Sequence, residues 1–311
     1  MRCDLHVHTR YSGYVDLPLL EHLGRDSYSD PRAVYVVAKR RGMDLVTITD
    51  HDTIEGALEL AGHPDFIVGE EVTCVLPGER QLHVNVWDID ESQHAEIARR
   101  RRDAEALFAF LAERRIPAAA NHLFSPLTGA RRVEDFHAAL AGVGLIEARN
   151  GMMPPATNEY ARLAGRRLGL APVGGSDAHT LARVGHAFTT VPRARDREEF
   201  LAGLRAGFTV PSGSAGSYAR LTADVARVFA GGVAESWALA RHGPRGAARL
   251  LAIGALVPLL PLLPLVTLGI HLEERLKAAS FFRAYLATLP AGAFARRPPL
   301  AGPRLALRRG A

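Results

Sequence analysis

Short apolar runs rich in β-branched residues recur down this 311-residue chain, and most are separated by stretches with helical periodicity. Seven such runs read as strands: residues 3–8, 45–49, 66–69, 82–87, 117–120, 144–148 and 171–174. Alternation of β and α argues for parallel strands and an α/β fold. In a barrel of such units the C-terminal strand ends gather on one face, where chemistry is placed. That expectation has content here because of how the runs end. They lead into Asp50-His51-Asp52, Glu70-Glu71, Asn121-His122, Arg149-Asn150-Gly151 and Asp177-Ala178-His179. His83, at the start of its run, is the partial exception.

The first run sets the theme. From Cys3 to His8 apolar and polar residues alternate, a period of two that projects His6 and His8 from one face. Two adjacent imidazoles make a poor core and a good clamp for a divalent cation. One His-x-His pair is weak evidence, but it has company. His6, His8, His51, Glu71, His83, His122, Asp177 and His179 form the candidate ligand set. Eight N/O donors exceed one tetrahedral ion and suggest two or three. A carboxylate such as Glu71 can bridge two cations, which a histidine cannot. No thiolate belongs to the set, so Zn, Mn and Fe all remain open. Cys3 and Cys74 read as buried free thiols of a reducing compartment.

The motifs Asp4-Leu-His-Val-His-Thr9, Thr49-Asp-His-Asp-Thr53, Gly69-Glu-Glu-Val-Thr73, Asn121-His122 and Gly175-Ser-Asp-Ala-His179 resemble, in order, those of the PHP (polymerase and histidinol phosphatase) family. The resemblance covers residues 1–213. It implies a distorted seven-stranded, TIM-like (β/α) barrel with two or three metal ions at its mouth. It implies hydrolysis of a phosphate mono- or diester by a metal-activated water. Carried over, His6, His8, Glu71 and Asp177 hold one ion, and Glu71, His83 and His122 a second. His51 and His179 help hold a third. The pattern departs at Gly13, where family members often carry Asp or His after the serine; Asp16 or His22 could swing in. Arg10, Asn150 and Arg183 are candidate substrate contacts. Two other readings stand beside this one. One is an amidohydrolase-type enzyme, which often needs a mid-barrel lysine, whereas this chain has only Lys39 and Lys277. The other is a metal-stabilised regulatory barrel without activity.

Charge narrows the substrate. Eight basic residues and no acidic one follow Glu274, so a net charge of +5 overall becomes −3 for residues 1–274. A nucleotide, sugar phosphate or short oligonucleotide suits that barrel better than long nucleic acid. No apolar segment follows the charged start, so a secretory leader is not indicated and a cytoplasmic protein is expected. Residues 214–311 read as a second segment: a helix over 217–242, an uncharged run over 250–270, and an Arg-rich tail. The uncharged run is long enough to cross a bilayer, yet Pro258, Pro261 and Pro264 interrupt it. A kinked span, an interfacial segment and a buried helix pair all fit. Membrane association through 250–311, with the tail meeting anionic lipid, is the favoured expectation. Residues 298–311 are expected to be disordered.

Overall fold

The computed structural model describes residues 1–14, 24–126, 129 and 132–289; Asp16, His22 and the tail beyond 289 lie outside them. Nine strands form one sheet: β1 (Arg2–Asp4), β2 (Leu45–Ile48), β3 (Phe66–Leu76), β4 (Arg80–Trp87), β5 (Ala118–Ala120), β6 (Leu145–Asn150), β7 (Ala171–Gly175), β8 (Ala187–Thr190) and β9 (Val210–Gly213). Their spatial order is β7-β6-β5-β4-β3-β2-β1-β8-β9. The sheet curls until its ends nearly meet. Val7 pairs in parallel with Ala178, just beyond β1 and β7. The Thr189 hydroxyl of β8 bonds both the N–H and the carbonyl of Gly174 in β7.

The α/β barrel expected from the sequence is present, with two changes. The strands number nine rather than seven, because β8 and β9 form an antiparallel pair that joins the sheet beside β1. The ring is also not uniformly parallel. Only three residues separate β3 from β4, and they form a tight turn in which Gly78 and Glu79 have φ of +82° and +59°. A connection that short can only join antiparallel neighbours, and β4 pairs antiparallel with β5 as well.

Ten helices are described: α1 (Pro31–Arg40), α2 (Glu55–Leu58), α3 (Glu91–Arg100), α4 (Ala104–Glu113), α5 (Val133–Gly142), α6 (Pro155–Leu168), α7 (Arg197–Arg205), α8 (Tyr218–Ala240), α9 (Pro244–Gly254) and α10 (Leu263–Ala287). Their ends follow capping chemistry. The Asp30 carboxylate accepts from the N–H groups of Arg32 and Ala33 at α1. A single long helix is expected over 92–114, but Asp103 accepts from Ala106 N–H and starts α4 afresh. The 250–270 run is likewise broken. It spans the end of α9, a 3-10 turn over Val257–Leu262 and the start of α10. Pro258 and Pro261 have no N–H for an α-helical bond, whereas Pro264 sits in the first turn of α10, where none is needed.

Two cores position the site. Cys3, Leu45, Ile67, Trp87, Ala119, Leu145 and Val173, one from each of β1 to β7, fill the barrel, and Phe200, Leu201 and Leu204 of α7 close its floor. Trp87 Nε1 and Asn85 Nδ2 both donate to Leu5 O from across the barrel, fixing the chain just before His6. The second core lies outside the sheet. There Phe124 and Phe136 meet Phe282 and Tyr285 of α10, so the C-terminal segment completes a core begun by the barrel. The Phe282 ring stacks on Tyr160 with centroids 4.5 Å apart.

Candidate metal centre

β1 ends at Asp4, and His6 and His8 follow it rather than lying within it. Only glycine fits beside them at Gly175, where a Cβ would stand 2.3 Å from His6 Cβ. Glu71 reaches the same place from β3, and Glu70 points the other way, to His94 Nδ1 at 2.9 Å. That split is the alternation of a strand.

Glu71 is the hub. Its Oε2 lies 3.1 Å from His6 Nε2 and 3.3 Å from both His8 Nε2 and His51 Nδ1. Its Oε1 lies 3.2 Å from His83 Nδ1 and 3.2 Å from His122 Nε2, and accepts from Asn121 Nδ2 at 2.7 Å. Asp177 Oδ1 lies 3.5 Å from His6 Nε2 and 3.3 Å from His8 Nε2. The eight side chains singled out in the sequence are thus drawn together at one mouth. Donor atoms within 4.8 Å of one another form four sets: His6, His8 and Asp177; His6, Glu71 and His122; His51, Glu71 and His83; and His8, Asp26, His51 and His179.

Asp26 was not singled out from the sequence. It comes from the loop before α1, and its Oδ2 lies 3.1 Å from His179 Nε2 and 3.9 Å from His51 Nε2. Its backbone N–H donates to Gly13 O, which holds this loop beside His51 and His179. Glu147 also went unnoticed. Its Oε1 is 2.7 Å from His6 Nδ1, which directs the other ring nitrogen inward, and its Oε2 accepts from His122 N–H. Ser12 does the same for His8 Nδ1 at 2.9 Å and donates to Asp50. Nothing in the periodicity distinguishes Asp26 from its loop neighbours. Glu147, a carboxylate inside an apolar run, carried a readable signal.

Of the three candidate substrate contacts, Asn150 lies in the cluster, where its Nδ2 donates to Glu147 and Asp177. Arg10 pairs with Asp30 and Glu59 at the rim. Arg183 is buried, donating to Gly151 O and standing 3.2 Å from Asp224.

The donor chemistry fits divalent cations. His6 Nε2 and His8 Nε2 face each other at 3.0 Å, an arrangement that needs a proton or a cation between them. Asp26 Oδ2, His51 Nδ1 and His83 Nδ1 are buried and meet only one another's imidazoles and carboxylates at 3.1–3.3 Å without aligned hydrogen bonds, and His122 Nδ1 is buried without a hydrogen-bond partner. Charge is poised accordingly. Burial opposes ionisation of Glu71, but His6, His83 and His51 outweigh it and hold the carboxyl well below its ordinary range. Asp177 is held low in the same way by His6, His8 and His179. Burial disfavours the charged form of His8, yet Asp177 and Glu71 push it up to about 10. Burial, with His8 and His83, drives His51 down to about 3, leaving a neutral imidazole. Asp26 resists burial through His179, His51 and His8 and falls to about 2. His122 and Asp177 both sit at positive φ, 26° and 52°, a backbone cost that functional sites often carry.

Residues 155–209, which contain the Ser176-Asp-Ala-His179 motif and most of the barrel-closing strands, match the family model described as PHP-associated. This stretch is similar to that family. An uncharacterised protein of Methanocaldococcus jannaschii, MJ1587, is 46% identical over 59 residues, 19% of this chain. That match spans a third (33%) of the relative's length. Among solved structures, PsfC from Pseudomonas syringae aligns over 69% of this chain and 91% of its own, with 19% identity and a TM-score of 0.49. The lesion-specific endonuclease PfuEndoQ from Pyrococcus furiosus aligns over 66% and 56%, with 18% identity and a TM-score of 0.45.

Proposed function

We propose that the mouth of this PHP barrel, within residues 1–213, is a polynuclear metal centre that hydrolyses a phosphate mono- or diester. The observation that carries the reading is the division of Glu71: one oxygen faces His6, His8 and His51, the other faces His83 and His122. A carboxylate shared between two groups of imidazoles suits a bridge between two cations. His6, His8, Glu71 and Asp177 would hold one ion, Glu71, His83 and His122 a second, and His51, His179 and Asp26 a third. Zn, Mn and Fe all suit these ligands. Two or three such ions supply charge neutralisation for a phosphoryl group and acidify water.

The chain's own residues supply the geometry. Glu147, Ser12 and Asn121 fix His6, His8 and Glu71, so the donors need little reorganisation when ions and substrate arrive. Asn150 holds Asp177 in place: it is buried and spends both amide hydrogens on Glu147 and Asp177, so its part is positioning. Arg10, 44% exposed, can exchange a surface partner for phosphate. The substrate class favoured by a barrel without net positive charge is a nucleotide, sugar phosphate or short oligonucleotide. An amidohydrolase bridged by a modified lysine gains no support, since Lys39 bonds Asp44 O and Asp65 and Lys277 pairs with Glu273, none of which belongs to the cluster.

The test is metal analysis of the purified protein with a phosphate-release screen over those three substrate classes, alongside Asp177→Ala. The expected result is two or three ions per chain, activity on at least one class, and loss of both in the variant. Bound metal with no release from any phosphate ester, but turnover of an N-acyl or lactone substrate, would replace this reading with an amidohydrolase one. Bound metal with no turnover at all would favour a regulatory barrel.

A further inference from the structure

The end of α9, the 3-10 turn and the first three turns of α10 present an apolar face that the barrel does not cover. Leu251 is 76% exposed and Leu265 66%, and Val257, Leu259, Leu262, Val266 and Leu272 stand open beside them. Residues 257–287 form a helical stretch long and apolar enough to cross a membrane, and little of its most apolar part is buried. An exposed patch of this size marks an interaction surface.

Its chemistry says what covers it. Residues 250–270 contain no charge, no aromatic ring and no arginine. Protein interfaces draw their strongest contacts from Trp, Tyr and Arg, with leucine under-represented. The hydroxyl of Thr267 is already bonded to Leu263 O and to Thr222. Such a surface offers a protein partner little to recognise, whereas acyl chains accept leucine without demanding hydrogen bonds. Charge adds a direction. Arg275, Lys277 and Arg283 stand exposed further along α10, and five more arginines and no acid follow in the sequence.

Geometry excludes a span. Glu274 and Ala278 are buried against the barrel, which leaves only residues 263–273 of α10 free of it. With the 3-10 turn, residues 257–273 reach roughly 28 Å against a hydrocarbon core of about 30 Å, but Tyr218 and Thr222 tie them to α8 through Pro264 O and Thr267, so they cannot enter the bilayer without the charged residues of that helix. We infer that this face seats the protein on the surface of an anionic bilayer. The leucines of 251–272 lie at the boundary of headgroups and acyl chains, and the exposed Arg275, Lys277 and Arg283 meet acidic headgroups. This reading is independent of the proposed phosphoesterase activity.

The experiment is sedimentation of the full chain with vesicles of phosphatidylcholine alone or mixed with phosphatidylglycerol. Two variants accompany the wild type: Leu259→Ser/Leu262→Ser/Leu265→Ser and Arg275→Gln/Lys277→Gln/Arg283→Gln. Every substituted side chain is exposed, so melting temperatures serve as a check on folding. The wild type should bind the mixed vesicles. The leucine variant should bind at least about tenfold more weakly, and the charge variant should lose the preference for phosphatidylglycerol. Equal binding by the wild type and the leucine variant would overturn the inference. So would a dimer in light scattering that the leucine variant dissolves while no form binds vesicles, because a second copy would then be the cover.

Discussion

Replacing Glu71 by Gln is the sharpest probe of the metal centre. The change is isosteric and removes one negative charge from a point within 3.3 Å of five imidazoles. Glu71 is 1% exposed, so water cannot replace the lost charge. Removing one partner from a buried charged cluster costs about 3–5 kcal/mol. If the carboxylate bridges two ions, that loss falls on their binding, as a weakening of about two to four orders of magnitude. The assay is competitive titration of zinc or manganese against a fluorescent chelator, with the bound count read by mass spectrometry. Glu70→Gln is the internal control: same residue type, adjacent, equally buried, but directed to His94. It should leave affinity and count unchanged. An affinity for Glu71→Gln within about threefold of wild type would refute the bridging argument, however the barrel is folded.

Two further outcomes follow from the structure. Asp26→Asn should reduce the bound count by one and spare the tighter ions, since Asp26 belongs only to the set with His8, His51 and His179; an unchanged count would show that this corner holds no ion. Glu274 is buried between the hydroxyls of Ser125 and Thr157, which donate at 2.7 and 2.9 Å, and burial raises its carboxyl above the usual range. A raised folded-state value means the folded protein holds the proton more tightly than the unfolded chain. Its stabilising share is therefore present below about pH 4.3 and lost as pH climbs through the folded value. Glu274→Gln should flatten that decline in melting temperature between weakly acidic and neutral pH, and parallel curves for the two proteins would contradict it.

Seven strands and the candidate ligands were legible for one reason: a side chain on a strand end is placed by a period of two and by the barrel's polarity. Hence His51, Glu71 and Asp177 could be located from their neighbours alone. Asp26 could not, because it lies in irregular chain whose path depends on contacts such as Arg25 with Glu235 of α8, 210 residues away. The antiparallel β4 was half visible. Pro77-Gly78 signalled the turn, but the count of alternating units pulled the reading toward a uniformly parallel ring. In the C-terminal run, the prolines marked where the chain divides into α9, the 3-10 turn and α10.

The way α10 completes the outer core bears on how this protein is made. Phe124 and Phe136 sit near the middle of the chain, yet the rings that cover them, Phe282 and Tyr285, come more than 140 residues later. A nascent barrel leaving the ribosome therefore keeps a sticky flank, with Ser125 still lacking the Glu274 carboxylate that its hydroxyl meets in the finished protein. Maturation of the neighbourhood of His122 must wait for translation of α10. Over that interval the half-made protein is a natural client for chaperones.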